Sequence, residues 1–554
     1  MIKKNLLFGI AALLLLMLAG SAVSIAVRQM QNPDTEDSAS ETILDSEEIS
    51  DSEPETASPE EEANENLLLT NVPEFPAVPL TLPEIQHQDA LLTVEAEHAQ
   101  YTGALHEEEH PECSNGTCIT GFSGQEDDSV LASFMIPAEQ HYDVTVSVRA
   151  EVPGKNTLVL NGQEIGTFTL NDTGHFTRVT VSGIYLTAGQ ADVAVQQKDG
   201  NILIDYFEIS NNTELEKIKY DYQYELSDPD ASENTQNLMN YLAKNYGKNI
   251  ITGQYTSGDD NAELDFICQK TGKYPAIRFG DMQCCSGNTT AEHKEIIRAC
   301  ERWAKQGGIV GLMWHWDAPS GISSVYAEET DFSLSDAVPE STLTENAVSY
   351  QTDVALMSEE EIQTALENNQ ISEECVSILH DIDSISKALK PLSDKDIPVL
   401  WRPLHEAGGG WYWWGADGAQ AYRWLWDVMY RRMTQYHNLH NLIWIWNGQN
   451  ESWLVDKYDI ASMDIYLDEN QEFGSRYEEF VSLYRMTKHK KILALSECGS
   501  LPDVNLMFRD NTVWSFMGLW YDDYLSELDS ETLINFYNSE KVLTLDNVRE
   551  DLKS

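Results

Sequence analysis

Val399-Leu-Trp-Arg-Pro-Leu-His-Glu-Ala-Gly-Gly-Gly-Trp-Tyr-Trp-Trp-Gly415 decides how the rest of this chain is read. It opens as a short apolar run, Val399 to Pro403, and breaks off at Glu406 into glycines and aromatics. A run that is apolar on both faces suits a parallel strand covered from both sides. Upstream, Leu379, Ile382, Ile385 and Leu389 recur at helical spacing. A helix leading into a buried strand is the repeating unit of an α/β fold.

Working outward from that unit, the same alternation holds from about Lys217 to the C-terminus. The strands are predicted at Asn249 to Gly253, Ala276 to Gly280, Ile309 to Trp314, Val399 to Pro403, Leu442 to Trp446, Ile460 to Ile465, Ile492 to Ser496 and Val513 to Leu519. Eight such units in about 330 residues imply a closed (β/α)8 TIM barrel over 217–554.

Barrel enzymes place their chemistry at the C-terminal ends of the strands. The third strand ends in Trp314-His315-Trp316-Asp317, the fourth in Arg402-Pro403-Leu404-His405-Glu406, the sixth in Asp464-Ile465-Tyr466 and the seventh in Ser496-Glu497-Cys498-Gly499. Glu406 and Glu497 are the two glutamates that terminate strong apolar strands in this way. Cleavage of a glycosidic bond needs such a pair facing one bond, one carboxyl protonated and the other ionised. His315, on an apolar strand, would by default be a core histidine, but two flanking Trp at a strand end favour a hydrogen bond to substrate. Trp411, Trp413 and Trp414 cannot all face a cleft, and at least one of them is expected to pack.

The segment Trp401 to Gly415 closely resembles the acid/base segment of glycoside hydrolase family 26. Trp314-His315-Trp316, Asp464-Ile465-Tyr466 and Ser496-Glu497-Cys498-Gly499 follow in the family's order. The resemblance implies hydrolysis of β-1,4-mannosidic bonds with retention, Glu406 as general acid/base and Glu497 as nucleophile, with carboxyls about 5 to 5.5 Å apart. It also implies that His315, Trp411, Tyr466 and Trp520 line the sugar site, and that no cofactor takes part in catalysis. Ala407-Gly408 departs from the family's usual polar pair, and β-1,3-xylan or mixed-linkage β-glucan remain alternative substrates. A non-catalytic glycan-binding barrel is the alternative from another class.

The N-terminal half reads differently. From Leu91 to Ser210, short alternating stretches such as Ser129 to Ile136 and Ile202 to Ile209 are punctuated by Gly, Asn and Pro, as in a β-sandwich binding module, jelly-roll-like, over 89–211. Val94-Glu95-Ala96-Glu97, Asp128-Ser129-Val130 and Ile204-Asp205-Tyr206-Phe207-Glu208-Ile209 resemble carbohydrate-binding modules of families 35 and 6. That resemblance implies a structural Ca²⁺ held by Glu95, Glu97 and Asp205, whose hard oxygens suit the ion.

The 35 Lys+Arg against 92 Asp+Glu give a formal charge of −57, which repels phosphate backbones and excludes nucleic acid as the natural partner. Residues 1–28 read as a signal peptide or an N-terminal membrane anchor, with the apolar run Leu6 to Val27 behind Lys3 and Lys4. Everything after Arg28 is therefore expected outside the cell, secreted or tethered, as a monomer acting on a polysaccharide. Residues 29–88, acidic and then Pro-rich, read as an extended linker. In that oxidising setting Cys113 and Cys118 are expected to close a short disulfide loop, a two-ligand zinc contact being the alternative.

Overall fold

Along Ser129–Ile136 every second side chain is buried, so one face of this strand carries Val130, Ala132, Phe134 and Ile136 into a core. Five strands build its sheet, in the order Gln100–Tyr101, Ser129–Ile136, Gly189–Gln197, Gly154–Leu160 and Gln163–Leu170. The facing sheet runs His106–Glu109, Thr117–Thr120, Asn201–Asn211, Gln140–Val152 and Thr177–Leu186, with Leu91–Glu95 also pairing Asn201–Asn211. All these pairings are antiparallel, and Val144, Val146, Val148, Ile204 and Phe207 meet the first sheet in a single apolar core.

This computed structural model describes residues 68–552, apart from 84, 124–127, 172–173, 198–199, 287–291, 340, 345–346, 351 and 468–472. The apolar run 6–27 and the acidic stretch 29–67 lie outside the described residues. Within them, no helix is long and apolar enough to cross a membrane.

The second part is a closed barrel of eight parallel strands. They are Gly253–Tyr255, Ile277–Asp281, Ile309–Trp314, Val399–Pro403, Leu442–Trp446, Ile460–Ile465, Ile492–Cys498 and Met517–Leu519. Strands three to six have the bounds the sequence predicts, because each is a mostly apolar run with both faces covered. The first differs: Ile250–Ile251 pairs in parallel with Val542–Leu543 outside the barrel, and the barrel strand proper begins only at Gly253. The eighth is likewise confined to Met517–Leu519.

Inside the barrel, Phe279 occupies space that Gly253 and Gly311 on its two neighbours leave open. A Cβ at either position would stand 2.5 or 2.2 Å from its ring. Eleven of the 14 Trp are almost wholly enclosed, so the aromatic wealth of the chain serves mostly as wall and core. A short antiparallel hairpin, Ser341–Thr344 with Ala347–Tyr350, rides on the long connection after the third strand.

Module and barrel belong to one compact unit, Asn66–Ser554. At their junction His141 Nε2 lies 2.5 Å from Asp510 Oδ1, and Arg509 donates to the same carboxylate at 2.6 and 3.0 Å while its guanidinium covers the Tyr185 ring. Asn212 joins Asp143 of the module to Tyr477 of the barrel. The stretch read as linker departs from that reading over its last part. Leu68 and Val72 pack on Leu264, Cys268, Tyr274, Trp303 and Leu545, and Val78 bridges Ser539. Its apolar side chains find a groove, and its prolines preset an extended path along it.

The Cys113–Cys118 disulfide is not formed. Both are buried thiols packed on Leu203 and Phe176, hydrogen-bonded to each other. Burial pushes both thiols up, which leaves little of the thiolate that oxidation requires.

Candidate active site

Arg402 is the one charged residue inside the fourth strand, and it is completely buried. Such a cation must be paired where it lies. One Nη donates to Asp464 at the end of strand six, and the other donates to Oε2 of Glu497 on strand seven at 2.9 Å. The Glu497 Oε1 accepts the Tyr466 hydroxyl at 2.6 Å. Ser496 donates to Asp464 at 2.8 Å, and Asn447 of strand five's end donates to Ser462 and Ser496 below it. Glu497 is thus a carboxylate clasped by a guanidinium and a phenol on a rigid strand.

Glu406 is presented differently. Leu404 and Glu406 both take left-handed backbone conformations, φ 50° and 52°, each of which costs a non-glycine residue about 1 kcal/mol or more. The Glu406 amide is anchored on the Asn447 side chain at 2.9 Å and on its carbonyl at 2.8 Å. The turn brings the Glu406 carboxyl to the mouth, where the Trp411 indole donates to Oε2 at 3.1 Å. Oxygens of Glu406, Asp464 and Glu497 then lie within 4.8 Å of one another, the only such trio of metal-ligand-type side chains among the described residues.

Three carboxyls beside one guanidinium cannot all ionise freely. Burial first, then the charges of Asp464 and Glu497, push Glu406 up to about 9, against the opposing pull of Arg402 and Trp411. Burial likewise raises Asp464 to about 6, countered by Arg402. A proton is therefore held on Glu406 at neutral pH, while Glu497 accepts hydrogen bonds only.

The wall opposite is aromatic and imidazole. His315 on strand three's end faces Asp281, His405 and Tyr412, and its ring is 6.4 Å from that of Trp520. Trp520 tilts over Tyr255 at 4.9 Å and stacks on Tyr521 at 4.7 Å. Tyr412 is sandwiched between Tyr326 and Trp414. Trp411 and Tyr466 are the exposed aromatics, 42% and 40%, whereas Trp413 and Trp414 are buried with their indoles bonded to the Trp316 and His405 carbonyls. At Gly408 a Cβ would meet the Gly448 carbonyl at 2.6 Å, so the rim beside Glu406 is bare backbone.

Glu406, Glu497, His315, Trp411, Tyr466 and Trp520 thus share one mouth. Sequence reasoning gave no role to Arg402, Asp464, Tyr412, Asn447 or Asp281. A charged residue within each of two apolar strands, at 402 and 464, was the available signal.

In the module, a bulge between Ile204 and Tyr206 turns Asp205 inward, where its carboxylate is 3% exposed. It accepts the Ser114 amide at 2.8 Å and the Ser114 hydroxyl at 2.9 Å, and that hydroxyl also lies 2.6 Å from Glu95 Oε2. Asn115 donates to Glu97 Oε1 at 2.6 Å, while Glu97 Oε2 is buried without a partner. Glu95, Glu97 and Asp205 are gathered around one loop, with hard oxygens and one orphaned acceptor.

Residues 227–547 match the family model described as Glycosyl hydrolase family 26, and residues 92–212 match Carbohydrate binding module (family 35). The chain is 29% identical over 490 residues to a protein named Mannan endo-1,4-beta-mannosidase from Thermothelomyces thermophilus, spanning 84% of this chain and 92% of that one. It superposes on the crystal structure of a Podospora anserina GH26-CBM35 beta-(1,4)-mannanase with a TM-score of 0.55 and 29% identity, over 84% of this chain and 100% of that one. A ruminal GH26 endo-beta-1,4-mannanase shares the fold, with a TM-score of 0.60 and 22% identity, over 84% and 99% of the two chains.

Proposed function

This chain belongs to glycosyl hydrolase family 26, and from that premise we propose that it cleaves β-1,4-mannosidic bonds within mannan, glucomannan or galactomannan, by a retaining double displacement. The observation that carries the reading is the pair of unlike glutamates, with carboxyl oxygens no more than 4.8 Å apart. Oxygens this close fit the about 5 to 5.5 Å carboxyl separation of retaining enzymes.

In the first step Glu406 gives its proton to the glycosidic oxygen as a Glu497 oxygen attacks the anomeric carbon. The sugar–oxygen bond breaks, the leaving chain departs as an alcohol, and the remaining sugar is esterified to Glu497. Arg402 and Tyr466 hold Glu497 in line throughout. In the second step Glu406, now ionised, takes a proton from water, whose oxygen attacks the anomeric carbon and releases Glu497. His315, Trp411 and Trp520 line the sugar subsite in this reading, Trp411 also orienting the Glu406 carboxyl.

The module adds a second contact to polysaccharide. Glu95, Glu97 and Asp205 would hold a structural Ca²⁺ there, supported by the buried unpaired oxygen of Glu97 and the all-oxygen donor set. Bound, the ion would neutralise these carboxylates and tie the first strand to the 113–118 loop. The apolar run 6–27 behind Lys3 and Lys4 supports placing the enzyme outside the cell, secreted or tethered.

Reducing-sugar release from glucomannan and galactomannan tests the activity. Wild type should turn over, and Glu406→Ala and Glu497→Ala should each lose at least about 10³-fold. Near-native turnover by either variant would refute the assignment. Parallel assays on β-1,3-xylan and mixed-linkage β-glucan decide the sugar.

A further inference from the structure

Asp281 ends the second barrel strand, one residue beyond the apolar run that marks it in the sequence. Its carboxylate makes three hydrogen bonds, two to the end of the neighbouring third strand and one to the turn that follows its own strand. Oδ1 accepts the backbone N–H of His315 at 3.0 Å and that of Gln283 at 3.1 Å, and Oδ2 lies 2.6 Å from the His315 Nδ1. A carboxylate can only accept here, so Nδ1 carries the hydrogen. The other ring nitrogen, Nε2, is 3.2 Å from the Tyr412 hydroxyl and 3.2 Å from Nε2 of His405.

We infer that Asp281 is a positioning residue for the hydrolytic reaction: it fixes the orientation and charge of His315, so that Nε2–H donates toward Tyr412 and His405. The inference rests on the reading of Glu406 and Glu497 given above. Tyr412 matters because its hydroxyl lies within electrostatic reach of both glutamates. Accepting a hydrogen bond from His315 leaves the Tyr412 hydrogen free to be donated into the sugar site. Tyr326 and Trp414 clamp the ring, so the direction of that hydrogen is the remaining freedom.

The surroundings assign the charge between the two imidazoles. Burial alone would lower His315, but Asp281 outweighs it, with a contribution from Glu497 of strand seven and opposition from Arg402 of strand four, and the net displacement is upward. Asp317, two residues further on, adds another carboxyl nearby. His405 goes the other way. It is fully enclosed, and burial, Arg402 and His315 hold it well below the usual imidazole range. Asp281 thus biases His315 toward the cation and leaves His405 the acceptor, an order that a neutral residue at 281 would no longer enforce.

Asp281→Asn keeps the size of the side chain and removes its charge. Two readouts apply. The first is kcat/KM on galactomannan against pH: the alkaline limb should move down by about one pH unit or more, a loss of about tenfold at a pH on that limb, with activity recovering on its acid side. The second is an NMR titration of ¹⁵N-labelled histidines, assigned with His315→Gln: His315 should stay doubly protonated through neutral pH in wild type and lose its proton at lower pH in Asp281→Asn. Asp281→Glu should restore part of both. A lower melting temperature with an unmoved alkaline limb, or an unmoved His315 titration, would reduce Asp281 to a structural prop and overturn the inference. Should Asp281→Asn fail to fold, a neutral wild-type His315 at pH 7 would overturn it equally. Absence of turnover on any β-mannan would sink the proposed function, while the titration would still decide this point.

Discussion

Tyr466 donates its hydroxyl to Oε1 of Glu497 at 2.6 Å, taking the oxygen that Arg402 leaves free. In the proposed mechanism the bond steadies a carboxylate that attacks and later leaves. Tyr466→Phe removes it without touching the core, since Tyr466 is 40% exposed. A hydrogen bond to a charged group contributes about 1.5–3 kcal/mol. The variant should fold normally and lose about 10- to 100-fold in kcat with little change in KM, measured on glucomannan.

Glu406 is held up to about 9 from an ordinary 4.5, and this has a consequence for stability. Below pH 4.5 folded and unfolded chains both carry the proton. Between there and about 9 the unfolded chain has released it while the folded chain has not, so folding becomes less favourable as pH rises. Glu406→Gln, neutral at every pH, should melt about 1 to 3 °C higher than wild type at pH 7. The gain should vanish by pH 4, with activity absent throughout. Calorimetry at the two pH values measures it.

Arg402 neutralises Asp464 and Glu497 in a dry site. Arg402→Met leaves two buried carboxylates without a counter-charge, which should cost about 3–5 kcal/mol and abolish turnover. Adding Asp464→Asn should return part of the stability and none of the activity. Urea unfolding of both variants, alongside mannan hydrolysis, provides the comparison.

Asp510 couples the module to the barrel. Burial would raise its pKa, but hydrogen bonds from His141 and Arg509 override that and hold it below the usual value. Its contribution is therefore present at neutral pH and lost as pH falls through the folded pKa, below 3.8. Asp510→Ala should destabilise the docked pair by about 3 kcal/mol at pH 7 and make 211–217 sensitive to limited proteolysis. Wild type should show the same cleavage only in strong acid.

On the proposed Ca²⁺ site, metal removal should act on the module alone. EDTA, or Glu97→Ala, should lower the melting of the β-sandwich by about 5 °C or more while kcat on short soluble manno-oligosaccharides is unchanged. Calcium should restore wild type and not the variant.

The barrel was legible where a strand is apolar on both faces. Ile309–Trp314 and Leu442–Trp446 are such runs, and their bounds follow from the sequence. The first strand was not, because Ile250 and Ile251 look like its centre yet pair with Val542 and Leu543, while the true strand carries Gln254, a polar side chain with no exposure at all. Glu406 and Glu497 stand out as acids terminating apolar strands. Arg402, Asp464 and Asp281 do not, since each is tolerated only through partners on other strands. Those partnerships, Arg402 with Glu497 across 95 residues and His315 with Asp281 across 34, are absent from any local pattern. Tyr412 was hidden among four consecutive aromatics, of which periodicity could not say which faced inward.

The enclosure of eleven tryptophans also makes this protein a selective optical reporter. Their emission should be blue-shifted and shielded from acrylamide; of the three others, Trp453 and Trp520 are half-buried, so Trp411 is the most quenchable fluorophore, its indole already hydrogen-bonded to Glu406. A saccharide seated over Glu406 would shelter that one ring, and occupancy of the cleft could be followed by light without any turnover.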